Sequence, residues 1–188
     1  MEQLLLKMDD TSEVKVIAAS AYNFRIELVK KVGKDDIPAL IEISQSMAKR
    51  FGSQALLTKT NIQKYFNVET LPFIARFKGE IIGYIIGVPL EYFKHESWAH
   101  FDVNMGKQNT LYTYAFVVNS KHRGKGGYGK TLKRIYINWA KKQKYTYVTG
   151  HVEQGIAKRF PVGTEIVKVF QDWYGLKIPF EYYRRPIT

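Results

Sequence analysis

Hydrophobic residues alternate with polar ones early in the chain, and the pattern then changes to a helical one. Phe24 to Val32 alternates as expected of a half-buried strand. Residues 36–51 then predict a helix that Asp35 or Asp36 is placed to cap, and a short second helix is predicted over Asn61 to Phe66. The apolar face of the longer helix comprises Ile37, Leu40, Ile41, Ser44, Met47 and Ala48.

The middle of the chain predicts a hairpin, a loop, a strand and a helix. Two β-rich runs lie between Pro72 and Leu90 and flank the turn 78–80, where a glycine can supply a positive φ. The polar segment 91–109 is predicted to be a long loop. Thr110 to Val118 follows as a strand, and Tyr128 to Lys142 has the apolar spacing of a helix.

The C-terminal part predicts a further strand, a helix and a last strand. Tyr145 to Val152 has the composition of a strand, and a strand–helix–strand unit of this length implies a parallel, right-handed crossover. Gly163 to Tyr174 is predicted to be a helix that Gly175 ends, and residues 180–187 form the last strand. The predicted element order is therefore β-α-α-β-β-β-α-β-α-β.

Length and composition indicate one globular domain. The chain has 188 residues, of which 45% are hydrophobic and 14% aromatic, so it can bury one core while a second domain would be cramped. We expect a single domain over residues 1–188, with an N-terminal extension of uncertain structure over residues 1–23. A helical turn followed by a strand at Val14 to Ala19 is our interpretation of that extension.

Missing residue types and patterns exclude several kinds of protein. The chain has no cysteine, which excludes disulfides and thiolate sites, and its four histidines show no metal-ligand spacing, so no structural metal is expected. No apolar run approaches the roughly 20 residues that span a bilayer, and the start lacks the features of a signal peptide. We therefore expect a cytoplasmic protein without a membrane partner.

The chain carries a large positive charge. Its 29 Lys and Arg residues outnumber 17 Asp and Glu, which gives a formal net charge of +12. Such an excess attracts polyanions in general, including nucleic acid, anionic lipid and phosphorylated cofactors. Charge alone does not choose among these partners.

A glycine-rich stretch, HRGKGGYGKTL, lies between the strand that ends at Val118 and the helix that begins at Tyr128. Its glycines cost conformational entropy unless the backbone must approach a partner closely. A helix N-terminus behind such a loop presents free N–H groups and the positive end of the helix dipole. Because Arg123, Lys125 and Lys130 add positive charge, the stretch predicts a pyrophosphate site.

One interpretation of this stretch is a nucleotide-binding P-loop. Residues 124–131 match the pattern GxxxxGK[ST]. That motif ordinarily follows its strand immediately, and it needs a later apolar strand ending in Asp to hold Mg²⁺. Here residues 119–123 intervene, and neither later strand ends in an acid after an apolar run.

The second interpretation covers more of the chain. Residues 118–126 resemble the signature of the GNAT superfamily of acyl-CoA N-acyltransferases, in which a valine ends the fourth strand and a short bend leads to Arg-Gly-x-Gly. Arg123, Gly124 and Gly126 match directly, and residues 127–129 contain an apparent one-residue insertion. The resemblance implies an α/β (α+β) fold: a mixed, mostly antiparallel central sheet with a parallel strand–helix–strand crossover.

The resemblance also implies acetyl-CoA as the cofactor. In similar proteins the loop amides bind the pyrophosphate of acyl-CoA, and the preceding strand pairs with the pantetheine arm. Carried over to this chain, the cofactor-binding residues are Phe116, Val117, Val118, Arg123, Gly124, Lys125, Gly126, Gly127, Tyr128, Gly129 and Lys130.

The groups that would move protons depart from the family's pattern. Many relatives use a glutamate or a water-linked base on the middle strands, and a tyrosine four residues before the glycine that ends the last helix. Counted back from Gly175, that position is Gln171, and Tyr174 is the nearest hydroxyl. The catalytic candidates are Tyr174, Asp102 and Glu91, with Glu96 and His100 as further candidates for the base. The family's common Asn after the fifth strand is absent, and its neighbourhood holds His151, Glu153 and Gln154.

Several functions stay open on the sequence alone. The leading one is an N-acetyltransferase that transfers an acetyl group from acetyl-CoA to a primary amine of a small molecule or peptide in a ternary complex, and a homodimer is one assembly that stays open. The alternatives are a catalytically silent acyl-CoA binder, a P-loop nucleotide-binding protein and a basic nucleic-acid-binding module. The last is motivated by the net charge and by tyrosines near basic residues.

Overall fold

The computed structural model describes residues 8–21 and 23–187. Eight strands form one sheet in the order β1-β2-β3-β4-β5-β6-β8-β7. The strands are β1 (Glu13–Ala19), β2 (Phe24–Lys31), β3 (Pro72–Phe77), β4 (Glu80–Pro89), β5 (Thr110–Val118), β6 (Tyr147–Glu153), β7 (Glu165–Phe170) and β8 (Phe180–Pro186). The α-helices are α1 (Ile37–Phe51), α2 (Ile62–Tyr65) and α3 (Tyr128–Lys142).

The sheet is mixed and mostly antiparallel. Antiparallel registers join β1 to β2, β2 to β3, β3 to β4, β6 to β8 and β7 to β8. Strands β5 and β6 run parallel, with Thr110 opposite Tyr147 and Tyr112 opposite Thr149. Because α3 lies between these two strands in the chain, the predicted parallel strand–helix–strand crossover is confirmed.

The first of two contact-defined units comprises the chain up to Ile86 together with Ala115–Tyr136. Its core contains Ile26 of β2, Leu40 of α1 and Ile74 of β3, all almost fully buried. The ring of Phe73 meets the ring of Tyr136 edge-on, with 5.5 Å between their centroids. Of the predicted apolar face of α1, Ile37, Leu40 and Ser44 are buried and Ile41, Met47 and Ala48 are half-buried. Ile43, which is 3% exposed, was not predicted to belong to this face.

A buried ionic network in this unit replaces the cap predicted for α1. Asp36 is the N-cap residue, but its side chain makes no capping hydrogen bond. Its carboxylate instead accepts hydrogen bonds from Arg76 Nη2 at 2.9 Å and from the Ser12 hydroxyl at 2.7 Å. Arg76 also pairs with Glu27, which is 1% exposed. A buried carboxylate needs a charged partner, so Asp36 serves the Arg76 network rather than the helix end.

The hairpin of β3 and β4 has the predicted tight turn. Lys78 and Gly79 both have positive φ, 51° and 87°, which is the combination that two-residue hairpin turns require. Further along β4, Gly83 lies against the end of β5, and a Cβ there would stand 2.6 Å from the carbonyl oxygen of Val117. The absence of a side chain at Gly83 therefore permits this close approach.

The second unit comprises Gly87–Tyr114 and the chain from Ile137 onward. The predicted loop 91–109 contains two 3₁₀ helices, Leu90–Phe93 and Ser97–Phe101. They contribute Leu90, Trp98 and Ala99 to an aromatic-rich core that also contains Tyr112 and Tyr182. The segment is therefore part of the packed structure, since its apolar side chains have partners distant in sequence.

The predicted helix over 163–174 is wrong, and so is the predicted element order. Strand β7 occupies this region as the last strand of the sheet, paired with β8 from Glu165 opposite Arg184 to Phe170 opposite Phe180. Ile166, Val167 and Val169 are β-branched and favour a strand, and pairing with β8 outweighs the incidental helical spacing. The element that follows β6 is a single 3₁₀ turn, Ala157–Arg159.

The strand predicted near the N-terminus is confirmed. It is β1, antiparallel to β2. The helical turn expected before it falls largely on residues 1–7, which lie outside the described residues. A single domain over the whole chain stays a prediction.

Replacing Gly83 by alanine should destabilise the protein strongly. Because the new Cβ would overlap backbone, we expect the free energy of unfolding to fall by about 3 kcal/mol or more, the upper end of overpacking costs. Gly79→Ala is the matched control, because a Cβ there meets nothing within 4 Å; only the positive φ opposes it, at about 1 kcal/mol. Urea unfolding measures both, and equal losses would contradict the close approach at Gly83.

Candidate cofactor and active site

The glycine-rich loop begins where β5 ends and is tied to the neighbouring strand. The Asn119 amide donates to the carbonyl of Ile82 in β4 at 2.8 Å. The Asn119 side chain accepts a hydrogen bond from the Lys121 amide at 3.0 Å, and the His122 amide donates to the Asn119 carbonyl at 2.9 Å. The entrance of the loop is therefore a defined turn rather than an unconstrained linker.

Each glycine of the loop has a structural reason. Gly124, Gly126 and Gly127 have φ values of 75°, 58° and 66°, a region that favours glycine. Gly129 opens α3 against β5, where a Cβ would stand 3.2 Å from Val118 Cγ2. The stretch predicted to hold a pyrophosphate thus combines left-handed backbone with a close helix–strand contact.

The start of α3 presents a set of free backbone donors. Among the described residues, none accepts a hydrogen bond from the amides of 126–130, and the first bond inside the helix is Thr131 N–H to the Gly127 carbonyl at 2.9 Å. These donors lie at the positive end of a 15-residue helix dipole. A phosphate group fits such an end, because its oxygens can accept several of these bonds at once.

Positive charge is concentrated around these donors. Lys121, Arg123, Lys125 and Lys130 are exposed, and the sequence from Val103 to Val152 contains no aspartate or glutamate. Arg123 Nη2 lies 3.4 Å from the carbonyl oxygen of Val118, at the end of β5. The loop and the helix start therefore attract an anion without a competing carboxylate in the same part of the chain.

Tyr128 fixes the first turn of α3 to the sheet. Its ring packs 5.1 Å from the rings of Phe24 and Phe77, measured between centroids, and 6.0 Å from His122. A Cβ at Gly126 would approach the Tyr128 ring to 2.5 Å. The residues of the apparent insertion, 127–129, are thus held by an aromatic anchor at their centre.

The last residues of β5 alternate in exposure. Phe116 is 43% exposed and Val117 is 3% exposed. Val118 is half-buried. Their roles along the pantetheine arm stay predictions.

The P-loop interpretation disagrees with the fold. A GxxxxGK[ST] loop normally joins a strand and a helix of a larger parallel sheet. Here the sheet is mostly antiparallel, and β5 and β6 form its parallel pair. Lys130 of the pattern lies in the first turn of α3.

The second unit brings an unexpected histidine together with the aromatic residues. The Tyr112 hydroxyl lies 2.8 Å from His151 Nδ1. Burial lowers the pKa of His151 to about 3, so the imidazole is neutral at physiological pH. Burial also raises the pKa of Tyr112 well above its usual value, so its hydroxyl stays protonated.

Tyr174 lies in a tight turn between β7 and β8. Its φ is 53° and that of Gly175 is 76°, and the Leu176 amide closes the turn onto the Trp173 carbonyl at 3.1 Å. The Tyr174 hydroxyl stands 3.4 Å from Glu96 Oε2 and is also hydrogen-bonded to the side chain of Trp98. Partial burial, together with the Glu96 carboxylate, raises the Tyr174 pKa.

The structure gives Tyr174 a different setting from the predicted one. Because no helix covers 163–174, counting back from Gly175 to Gln171 does not identify a tyrosine position of the family. Tyr174 is 64% exposed and reaches Glu96 from a β-turn. Its catalytic role stays a prediction that now rests on this contact.

Asp102 is built into an ionic network. Its oxygens accept hydrogen bonds from Tyr182 Oη at 2.9 Å, from Arg184 Nη1 at 2.8 Å and from the Asn104 amide at 2.9 Å. Arg184 continues to Glu165 at 2.6 Å. Since these donors occupy both oxygens, Asp102 is placed to hold the 91–109 segment onto β8 and β7.

The remaining base candidates are distributed along the same segment. Glu91 Oε1 accepts a hydrogen bond from the Gln108 amide at 2.7 Å and so ties the two ends of the segment together. His100 Nε2 lies 2.8 Å from the Lys94 carbonyl. Of the acidic candidates, the structure brings Glu96 together with Tyr174.

Sequence reasoning missed the roles of Trp98 and Trp173. Trp98 is 6% exposed, and the centroid of its ring lies 5.0 Å from that of Tyr112. The ring of Trp173 stacks on the His151 ring with 3.5 Å between their centroids. The only signal was the density of aromatic residues in the two segments. Which rings meet depends on strand pairing, which residue spacing does not encode.

A comparison with known sequences identifies the family. The model of the acetyltransferase (GNAT) family matches residues 38–160. Since this is more than half of the chain, the protein belongs to the acetyltransferase (GNAT) family, and the resemblance carried by the glycine-rich stretch is confirmed. The family uses acetyl-CoA, and acyl transfer is its class of reaction. No curated protein sequence is significantly similar to the chain.

Solved structures share the fold at low sequence identity. Ard1 from Thermoplasma volcanium has a TM-score of 0.60 and 18% identity, over 88% of this chain and 99% of that one. The ribosomal-protein-S18-alanine N-acetyltransferase from Escherichia coli has a TM-score of 0.60 and 14% identity, over 88% and 94%. The yncA protein from Salmonella typhimurium, solved with its cofactor acetyl-CoA, has a TM-score of 0.61 and 15% identity, over 88% and 95%.

Two further observations concern the described part of the chain. No helix within residues 8–21 and 23–187 has the length and apolar character needed to cross a membrane. Over the same residues, no three histidine or acidic side chains converge in a way that could hold a metal ion.

The low pKa of His151 predicts a loss of stability in mild acid. The unfolded chain binds a proton at this histidine near pH 6.5 but the folded chain only near pH 3, so acid favours the unfolded state. Between pH 7 and pH 5 this group should lower the free energy of unfolding by about 2 kcal/mol.

Urea unfolding at the two pH values measures this loss. The double variant His151→Phe/Tyr112→Phe should lose about 2 kcal/mol less than the parent over the same range, because it has neither the histidine nor an unpaired hydroxyl. His95→Asn, at an exposed histidine, should lose as much as the parent. A double variant that kept the full pH dependence would refute the assignment to His151.

Proposed function

We propose that this chain is an N-acetyltransferase that holds the pyrophosphate of acetyl-CoA at the start of α3 and transfers the acetyl group to an amine. The observation that carries the proposal is the set of free amides from Gly126 to Lys130 behind a left-handed glycine backbone. Exposed Lys121, Arg123 and Lys125 add the charge that a diphosphate requires. The membership of the chain in the GNAT family supports this use of the loop.

Bound acetyl-CoA would supply an acetyl thioester, whose carbonyl carbon is attacked by an amine and whose sulfur leaves as a thiolate. For this reaction the amine must lose a proton and the thiolate must be stabilised. Glu96 offers an exposed carboxylate that can take the proton, directly or through water. Tyr174 offers a hydroxyl that stays protonated at neutral pH, because its pKa is raised, and that can therefore donate a hydrogen bond to negative charge on sulfur.

The acceptor we propose is a primary amine of a small molecule or a peptide, acetylated in a ternary complex. Glu91 and Asp102 stay in the proposal as residues that shape the acceptor side through the 91–109 segment. Their present hydrogen bonds to the Gln108 amide and to Arg184 favour holding the segment over exchanging protons. A homodimer, binding to nucleic acid and a cytoplasmic location stay predictions.

The cofactor assignment predicts a selective loss of binding in Gly126→Ala. A Cβ at Gly126 would require a φ of 58° and would approach the Tyr128 ring to 2.5 Å, so the loop must shift. We expect calorimetric titration with acetyl-CoA to show at least a roughly tenfold weaker Kd, about 1.4 kcal/mol. Gly155→Ala is the matched control, because Gly155 also has a positive φ, a new Cβ there meets nothing within 4 Å, and it belongs to the second unit; it should bind like the parent.

The same titration separates the competing classes of protein. ATP–Mg²⁺ in place of acetyl-CoA should bind more weakly to the parent, and a preference for ATP would overturn the acetyltransferase proposal. Binding to random oligonucleotides with a steep dependence on salt would support the nucleic-acid alternative.

The catalytic assignment predicts that Tyr174→Phe lowers kcat and leaves cofactor binding unchanged. Loss of one positioned donor typically costs about 10²- to 10³-fold in rate. Thiol release measured over a panel of amines reports kcat, and acetyl-CoA titration reports the Kd. Tyr92→Phe is the matched control, because Tyr92 is also an exposed tyrosine of the second unit.

Two outcomes would contradict these roles. Full activity of Tyr174→Phe would remove Tyr174 from the mechanism. Tight binding of acetyl-CoA without turnover on any amine would favour the catalytically silent binder.

A further inference from the structure

The imidazole of His151 is enclosed by aromatic rings. Trp173 stacks on it with 3.5 Å between the ring centroids and 21° between the planes. Tyr182 lies nearly parallel to it at 4.8 Å and 25°, and Trp98 approaches almost perpendicularly at 4.9 Å. Together with the bond to Tyr112, these contacts leave the ring one orientation.

The hydrogen bond between the Tyr112 hydroxyl and Nδ1 ties one ring nitrogen of His151 to β5. Nε2 is buried and, within the described part of the chain, has no hydrogen-bond partner. A ring that is neutral, fixed in orientation and closed off from solvent at Nε2 is suited to support its neighbours rather than to exchange protons.

The turn that carries Tyr174 needs such support. An aromatic residue in the left-handed region costs on the order of 1–3 kcal/mol and persists only where its surroundings hold it. Tyr174 is itself exposed, and its neighbour Trp173 is the side chain that stacks on His151. The ring of Trp173 also meets the Tyr174 ring edge-on, with 4.8 Å between centroids.

We propose that His151 is a positioning residue for Tyr174. Its imidazole provides the flat ring surface on which Trp173 stacks. This stack holds the 173–176 turn so that the Tyr174 hydroxyl reaches Glu96 and Trp98. The role of Tyr174 in acetyl transfer belongs to the proposed function, on which the kinetic part of this inference rests. The geometric part does not depend on catalysis.

Kinetics of two variants separate positioning from proton transfer. His151→Ala removes the imidazole ring on which Trp173 stacks. It should lower kcat about tenfold to a hundredfold with little change in KM for the amine or in the Kd of acetyl-CoA. His151→Phe/Tyr112→Phe keeps a flat ring without an unpaired buried hydroxyl, and it should retain kcat within about threefold of the parent. A double variant as inactive as His151→Ala would overturn the positioning role and assign the loss to the imidazole nitrogens.

Nuclear magnetic resonance tests the geometry without any activity. The chain has three tryptophans, so the indole N–H groups give three signals, which single Trp→Phe variants assign. Because the Trp98 side chain is hydrogen-bonded to Tyr174, its indole signal should shift when Tyr174→Phe is introduced into the parent. Tyr174→Phe should have no such effect in the His151→Ala background, and its full effect in the backgrounds of the double Phe variant and of His95→Asn. Comparing each background with and without Tyr174→Phe cancels the direct effect of the ring at 151, whose centroid lies 4.9 Å from that of Trp98.

The two readouts distinguish failure of this inference from failure of the proposed function. If Tyr174→Phe moves the Trp98 signal in the parent but not in His151→Ala, and Tyr174→Phe is nevertheless fully active, the stack positions Tyr174 and the catalytic assignment is wrong. If Tyr174→Phe moves the Trp98 signal in His151→Ala as it does in the parent, His151 does not hold the turn and the inference is overturned. If His151→Ala does not fold, the double Phe variant still decides, because loss of the effect of Tyr174→Phe on the Trp98 signal, or a large loss of kcat, refutes the role of a flat ring at position 151.

Discussion

The close approach of β4 to the end of β5 is the constraint on which the glycine-rich loop and the proposed cofactor site depend. At Gly83 the backbone of β4 comes so near the Val117 carbonyl that no side chain fits, and one residue earlier Ile82 accepts the Asn119 amide. These contacts fix where β5 stops. The loop with its left-handed glycines and the start of α3 come next in the chain. The contact between the two strands therefore sets the position of the free amides.

Each unit uses an arginine whose side chain is mostly covered, 14% exposed in Arg76 and 12% in Arg184, to tie separate elements together. Arg76 of β3 joins Glu27 of β2 to Asp36 at the start of α1. Arg184 of β8 joins Asp102 of the 91–109 segment to Glu165 of β7. A planar guanidinium suits this task because it can serve two carboxylates at once. Removing one partner would leave an unpaired charge in a site largely closed to water, which makes both networks sensitive to substitution.

The two units differ in which of their polar groups are exposed and which are buried. In the first, backbone amides and exposed cations are left available, as a site for a diffusible phosphate requires. In the second, Tyr112 and His151 lie among aromatic rings, and burial there raises the pKa of Tyr112 and lowers that of His151 by removing water. Tyr174 and Glu96 are exposed instead, and the edge-on contact between the Trp173 and Tyr174 rings gives the turn at Tyr174 a defined shape.

The sequence by itself determined the hairpin, β5 and α3, because strand alternation and helical spacing are local properties. Its glycine content and basic residues predicted a phosphate-binding role for the loop between β5 and α3, and that role stays a proposal. The sequence did not determine β7, since Ile166 to Phe170 can satisfy either period and only pairing with β8 decides. Nor could it show that Asp36 and Asp102 serve arginines, or that Trp173 stacks on His151. Those contacts join residues far apart in the chain, and only the tertiary structure, by fixing strand order and register, decided which side chains meet.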